Sequence, residues 1–152
     1  MNQRSKYETA LKLAPGVAVI AHVTTALTHG GPVAVPDVPA YLSVAQRFWG
    51  AVPVIELPYH PGYGFLVAPL GFLSGDALHT AALCVNAVLA GIVVWMVQRL
   101  VRRSEAPQWV LWCSTAISVL HPSVSHTSRV AWPETLLVVL LLSIGLCVTS
   151  LH

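Results

Sequence analysis

The chain has 152 residues, 55% of them hydrophobic and 9% charged, with a mean hydropathy of +0.69 and a net charge of +2. A soluble domain of this length carries about a quarter charged residues, so the composition is that of an integral membrane protein. The net charge is too small to argue for nucleic-acid binding, and the cations inform by their positions rather than by their sum.

A membrane-crossing helix needs roughly 20 mostly apolar residues. Residues 13–29 (LAPGVAVIAHVTTALTH) form a first span. A basic start and a short apolar stretch also describe a signal peptide, but no small-x-small cleavage site precedes Pro32, so the segment reads as a retained anchor.

Residues 37–50 (DVPAYLSVAQRFWG) predict a short amphipathic helix. Val38, Tyr41, Leu42, Ala45, Phe48 and Trp49 fall on one face at helical spacing, with Ser43, Gln46 and Arg47 opposite. Asp37 is placed to cap the first turn and Gly50 to stop the helix. Such a helix lies along a membrane surface.

Residues 58–76 (PYHPGYGFLVAPLGFLSGD) are apolar yet broken by proline and glycine. Pro58 and Pro61 prevent a regular helix before Gly62, and Pro69 disturbs the turns that follow. Irregular backbone at membrane depth is tolerated only where protein covers it or water reaches it. The segment therefore reads as an interfacial or re-entrant piece beside a cavity. Ser74, Gly75 and Asp76 make a turn, with Asp76 as cap for the next helix.

Residues 77–98 form a second span with no internal charge, residues 107–121 a third limited by Pro122, and residues 132–151 a fourth opened by Trp132 and Pro133. Cys84, Cys113 and Cys147 are widely separated in apolar runs and have no metal-ligand spacing. Arg4, Lys6, Lys12, Arg99, Arg102 and Arg103 fall on one side if the chain crosses four times. That puts both termini in the cytoplasm and residues 30–76 outside, with Arg47 and Arg129 also outside. The fold expected is one all-α membrane domain over residues 1–152, with about four transmembrane helices and short juxtamembrane helices in the first external loop.

Several polar residues qualify for chemistry. Asp37 suits a general base, against the alternative of a helix cap. His60 could meet a phosphate or an acceptor, against a water-satisfied interfacial histidine. Arg129 offers a planar fork that suits phosphate, against a headgroup contact. Glu134 favours a helix N-terminus, and His22 and Asn86 suit interhelical hydrogen bonds. A metal site from His60, His121 and His126 has no supporting spacing. Glu56 has no fixed relation to Asp37.

The ordered set of an external acid, a tyrosine-containing surface helix, HPGYGFLVAPLGFLSGD, a span ending VQRLVRR, and HPSVSHTSRVAWPETLLVVLLL resembles the N-terminal part of the polytopic GT-C glycosyltransferases. These include mannosyltransferase-like and aminoarabinose-transferase-like proteins of the cell envelope. The resemblance runs from about residue 13 to the end and rests on loose patterns. It implies transfer of a sugar from a polyprenyl-phosphate donor to an acceptor on the extracytoplasmic side. It implies Asp37 as the catalytic acid of the first loop, and His60, Tyr63, Arg129 and Glu134 as substrate-binding residues. Family members often carry two adjacent acids, whereas Val38 follows Asp37 here, so a paired-carboxylate or metal-binding version departs from this sequence. No cofactor is implied. Complete members have more spans, so the resemblance also implies the N-terminal portion of a larger fold, with a lipid-linked donor, membrane lipids and a second membrane protein as partners. A non-catalytic subunit packing with such a partner is the competing reading. A transporter lacks support, since no span carries a charge pair.

Overall fold

The longest helix in the computed structural model is the one against which the other long helices pack. The structure describes residues 3–28 (side chains from residue 6), 37–50, 62–120, 130–131 and 133–150. Among them every regular element is helical: α1 (Gln3–Thr28), α2 (Val38–Arg47), α3 (Gly62–Val67) running into a 3₁₀ turn (Ala68–Leu70), α4 (Gly75–Arg103), α5 (Gln108–Leu120) and α6 (Glu134–Val148). Helices α1, α5 and α6 all pack on α4, and α1 also touches α5.

Helix α1 begins ten residues before the predicted span and runs straight through Pro15. A proline inside a helix removes the N–H that should bond the carbonyl four residues back, here that of Leu11. Gln98 of α4 makes good the loss: its Nε2 donates to the Leu11 carbonyl at 2.9 Å, and both residues are buried. One turn or two further along, Gly91 lies so close to α1 that a Cβ there would sit 2.5 Å from Val19 Cγ2 and 3.0 Å from the Pro15 carbonyl oxygen. Small residues that let helix backbones approach are the usual packing device inside membranes.

The contacts fix helix directions. The start of α1 meets the end of α4 through Gln98 and Leu11 and through Arg102 and Glu8, 3.8 Å apart at an exposed position. Tyr7 packs edge-on against Trp112 near the start of α5. Arg103 at the end of α4 donates to the Leu146 carbonyl (2.6 Å) and Thr149 Oγ1 (3.3 Å) at the end of α6. Its cation thereby meets carbonyls that a helix C-terminus leaves unpaired. Helices α1 and α5 thus run one way and α4 and α6 the other. Lys6, Lys12, Arg99, Arg102 and Arg103 belong to the same end of the bundle.

Two helices, Lys6–Thr28 within α1 and the whole of α4, are long and apolar enough to cross a membrane. At 1.5 Å per residue α4 is about 44 Å long. Helices α5 and α6 are apolar but have only 13 and 15 described residues, shorter than the roughly 20 a straight crossing needs. The four spans expected are therefore reduced to two long helices and two shorter ones. Helix α6 buries none of its residues, and Leu137, Leu140, Leu141 and Ile144 are exposed. An aqueous surface disfavours so large an apolar face, whereas lipid does not.

The opposite end is capped by α2 and α3. Val38, Leu42 and Ala45 of α2, Tyr63 and Val67 of α3, Leu78 and Leu83 of α4, and Val130 and Ala131 share one buried core. The α2 helix lies where its period predicts, but it stops at Arg47, so Phe48 and Trp49 leave the expected buried face and stand exposed. Ser43, expected on the polar face, is buried, its hydroxyl bonded to the Ala40 carbonyl at 2.8 Å. The glycines of the following segment explain this covering. A Cβ on Gly64 would lie 2.5 Å from Val44 Cβ and 2.9 Å from the Tyr41 carbonyl oxygen, and a Cβ on Gly71 would overlap the Ala45 carbonyl. These two positions let the bent segment lie directly on the α2 backbone. Trp49 Nε1 donates to the Ala68 carbonyl at 2.8 Å and Gln46 Nε2 to the Leu73 carbonyl at 3.4 Å, so α2 supplies donors that the broken helix lacks.

The Gln98 bridge makes a reciprocal prediction. Gln98→Leu strands the Leu11 carbonyl and costs about 1–2 kcal/mol of unfolding free energy. Adding Pro15→Ala restores an internal donor to that carbonyl, so the double variant recovers most of the loss. Denaturant titration of the purified chain in mixed micelles measures both, and a loss that Pro15→Ala leaves unrelieved contradicts the bridge.

Candidate functional site

The site expected around Asp37 lies at the α2–α3 end of the bundle. Asp37 occupies the N-cap position of α2, and its carbonyl accepts from the Ala40 N–H at 3.1 Å and the Tyr41 N–H at 3.3 Å. Its carboxylate makes no capping hydrogen bond, which corrects the expectation from sequence. The reason is local. A capping residue normally holds an extended conformation that turns its side chain onto the N2 and N3 amides. Asp37 is instead helical (φ −82, ψ −25), and Pro39 has no N–H to offer.

The carboxylate acts on Tyr41, one helical turn on. Burial raises the Tyr41 hydroxyl above the ordinary tyrosine value, and the negative charges of Asp37 and Glu134 raise it further, because a phenolate beside a carboxylate is repelled. The charges of two acids 97 positions apart in the chain are therefore both felt at one hydroxyl. Glu134 is exposed in the first turn of α6, following Pro133 at the N-cap position, where the helix dipole favours a carboxylate.

Tyr63 sits beneath this group. Its ring meets Tyr41 edge-on with centroids 6.0 Å apart, and its side chain is buried. Its hydroxyl is turned inward, donating to Asn86 Oδ1 at 3.0 Å with the Ala82 carbonyl at 3.3 Å. Asn86 Nδ2 in turn donates to the Val130 carbonyl at 3.4 Å. The chain of bonds ties α3, α4 and the approach to α6 together, so Tyr63 packs against Tyr41 from the core side rather than reaching outward. Burial pushes the Tyr63 hydroxyl well above its ordinary range, the Asn86 contact acts in the opposite sense, and the Glu134 charge adds to the rise.

The other expected residues, His60 and Arg129, lie outside the described residues, as do Glu56, His121 and His126. Among the described residues no three His, Cys, Asp or Glu side chains gather to hold a metal. Tyr41, which the helical period places on the apolar face of α2, is the member of the group that the sequence does not single out. Its spacing of four from Asp37 was the available signal. At the other end of α2 from Asp37, Phe48 packs on Phe65 and Trp49 on Phe72, all four exposed, and Phe48, Trp49 and Phe65 line a shallow apolar cleft of about 390 Å³ with Ala68 and Pro69. An aromatic cluster of this kind suits the boundary between lipid and water.

Comparison with known proteins finds no matching family model, no significantly similar curated protein and no significantly similar solved structure. What the fold defines is an all-helical chain with two helices long and apolar enough to span a membrane.

Two outcomes follow from the group at Tyr41. Asn86→Leu removes the acceptor of a buried hydroxyl and costs about 1–3 kcal/mol, read by thermal unfolding in detergent. Asp37→Asn lowers the pH at which Tyr41 ionises, because the phenolate loses a repelling neighbour. Ring-carbon NMR of tyrosine-labelled protein follows that titration, with Tyr41→Phe identifying the signal.

Proposed function

We propose that this chain acts in a GT-C-type membrane glycosyltransferase, transferring a sugar from a polyprenyl-phosphate donor to an extracytoplasmic acceptor. The observation that carries the reading is that Asp37, at the N-cap of α2, and Glu134, in the first turn of α6, both lie at the end of the bundle remote from the Lys and Arg cluster. In this reading the cationic end faces the cytoplasm, by the positive-inside rule, and the acids lie outside. The Asp37 carboxylate takes the proton of the acceptor hydroxyl as its oxygen bonds the sugar's anomeric carbon. The bond from that carbon to the phosphate oxygen breaks at the same time, and the lipid phosphate leaves with the bonding pair. Glu134 orients the acceptor beside Tyr41, and Tyr63 holds Tyr41 in place. His60 and Arg129 are assigned to the donor phosphate by their side-chain chemistry, a ring N–H donor and a planar cationic fork. The exposed aromatics Phe48, Trp49, Phe65 and Phe72 hold the α2–α3 layer at the lipid boundary, within reach of a lipid-borne donor.

A second reading, a non-catalytic subunit that packs with another membrane protein, is favoured by the exposed apolar face of α6, with Leu137, Leu140, Leu141 and Ile144. Both are tested by sugar transfer from a polyprenyl-phosphate-linked hexose in membranes containing the chain. On the first reading, Asp37→Asn lowers transfer by about 10²-fold or more while the chain stays folded, and Arg47→Gln leaves it intact. Transfer that is unchanged by Asp37→Asn in a folded chain rules out the catalytic role and leaves the subunit reading.

A further inference from the structure

At the end of the bundle opposite Asp37, α1 and α4 part to leave a cleft of about 340 Å³. Its described lining is Lys12, Pro15, Trp95, Gln98, Arg99 and Arg102. Three of these six are cations and none is an acid. Among the described residues the carboxylate paired with the group is that of Glu8, 3.8 Å from Arg102 and exposed to solvent. The geometry is set by the same proline that the Gln98 bridge repairs. Trp95, Gln98, Arg99 and Arg102 recur at helical spacing on the α4 face that meets Lys12 and Pro15. Arg99 is held with its guanidinium carbon 5.0 Å from the centre of the Trp95 ring. A ring face steadies a cation without neutralising it, so the fork keeps its donors for an anion.

The apolar surroundings say what kind of anion fits. Val88, Ile92 and Trp95 follow one another at spacings of four and three on α4, and all are exposed. The stripe leads from the apolar middle of the helix into the cationic cleft. An occupant that matches it has a negatively charged head and a hydrocarbon tail. Basic pockets between membrane helices recognise phospholipid headgroups on this principle.

We propose that the Lys12–Arg99–Arg102 cleft binds the phosphate of an anionic phospholipid, with an acyl chain lying along Val88 and Ile92. The site is separate from the Asp37 group and does not depend on the glycosyltransferase reading. The bound lipid bridges α1 and α4 beside Pro15, where α1 lacks one of its own hydrogen bonds, and so pins the helix pair at its weakest turn.

The full chain is reconstituted into nanodiscs of phosphatidylcholine containing either phosphatidylglycerol or additional phosphatidylcholine with brominated acyl chains. Binding is read as quenching of tryptophan fluorescence, with Trp95→Phe reporting the share due to Trp95. Brominated phosphatidylglycerol is expected to quench Trp95 at roughly tenfold lower mole fraction than brominated phosphatidylcholine. Lys12→Gln, an exposed substitution that leaves the Arg99–Trp95 contact in place, is expected to weaken the preference about fivefold. Lys12→Gln with Arg99→Gln is expected to abolish it, since about fivefold per cation lost exceeds the whole preference. Arg47→Gln, at the other end, leaves it unchanged. Equal quenching by the two lipids, or an undiminished preference in folded Lys12→Gln, overturns the proposal. Displacement of the brominated lipid by soluble glycerol phosphate or inorganic phosphate at matched concentration overturns the lipid as occupant and assigns the cleft to a free phosphate.

Discussion

Carbonyl groups that cannot be satisfied within their own segments are satisfied by side chains of α4, and the bundle depends on this. In an apolar environment an unpaired backbone group is costly, and water is not there to relieve it. Pro15 strands the Leu11 carbonyl, and Gln98 reaches it from α4. The segment before α6 presents the Val130 carbonyl, and Asn86 reaches it from the same helix. The two amides lie twelve residues apart on one helix, Asn86 near its middle and Gln98 near its end. Each provides a directed bond where apolar packing alone would let helices slide. Gly91 between them brings α1 into close contact.

This arrangement gives the two ends of the molecule different electrical characters. At one end Lys12, Arg99 and Arg102 surround the cleft beside Pro15, and Arg103 closes the carbonyl end of α6. At the other, Asp37 and Glu134 act together on Tyr41 above a buried hydrogen-bonded tyrosine. The α2–α3 layer is what makes the second end a site. Gly64 and Gly71 let a proline-broken segment lie on α2, and Trp49 and Gln46 complete its hydrogen bonding. The glycines serve close packing here rather than looseness.

Much of the layout was legible in the residues. The period of Val38, Leu42 and Ala45 marks α2, the charge-free run after Asp76 marks α4, and Pro69 marks where α3 tightens to a 3₁₀ turn. These are local signals, and local geometry honours them. The start of α1 was not legible, because a proline at position 15 reads as a helix beginning until its missing bond is supplied from position 98. The capping role of Asp37 was misread because it depends on one backbone angle that composition does not set. The sequence placed Tyr41 on the apolar face of a surface helix, and nothing local shows that it also feels the charge of Glu134, 93 positions on.

The sequence by itself determined the solvent this chain prefers, the helical class of its elements and the segregation of its basic residues. Composition, period and the distribution of Lys and Arg are sums over neighbours along the chain, and they survive any packing. Only the tertiary structure decided which acids lie at the same end of the bundle, which amide repairs which carbonyl, and that α1 and α4 leave a cationic cleft where they part. Each of those is a meeting between residues tens of positions apart. Such meetings are set by helix direction and by the places where glycine lets backbones approach.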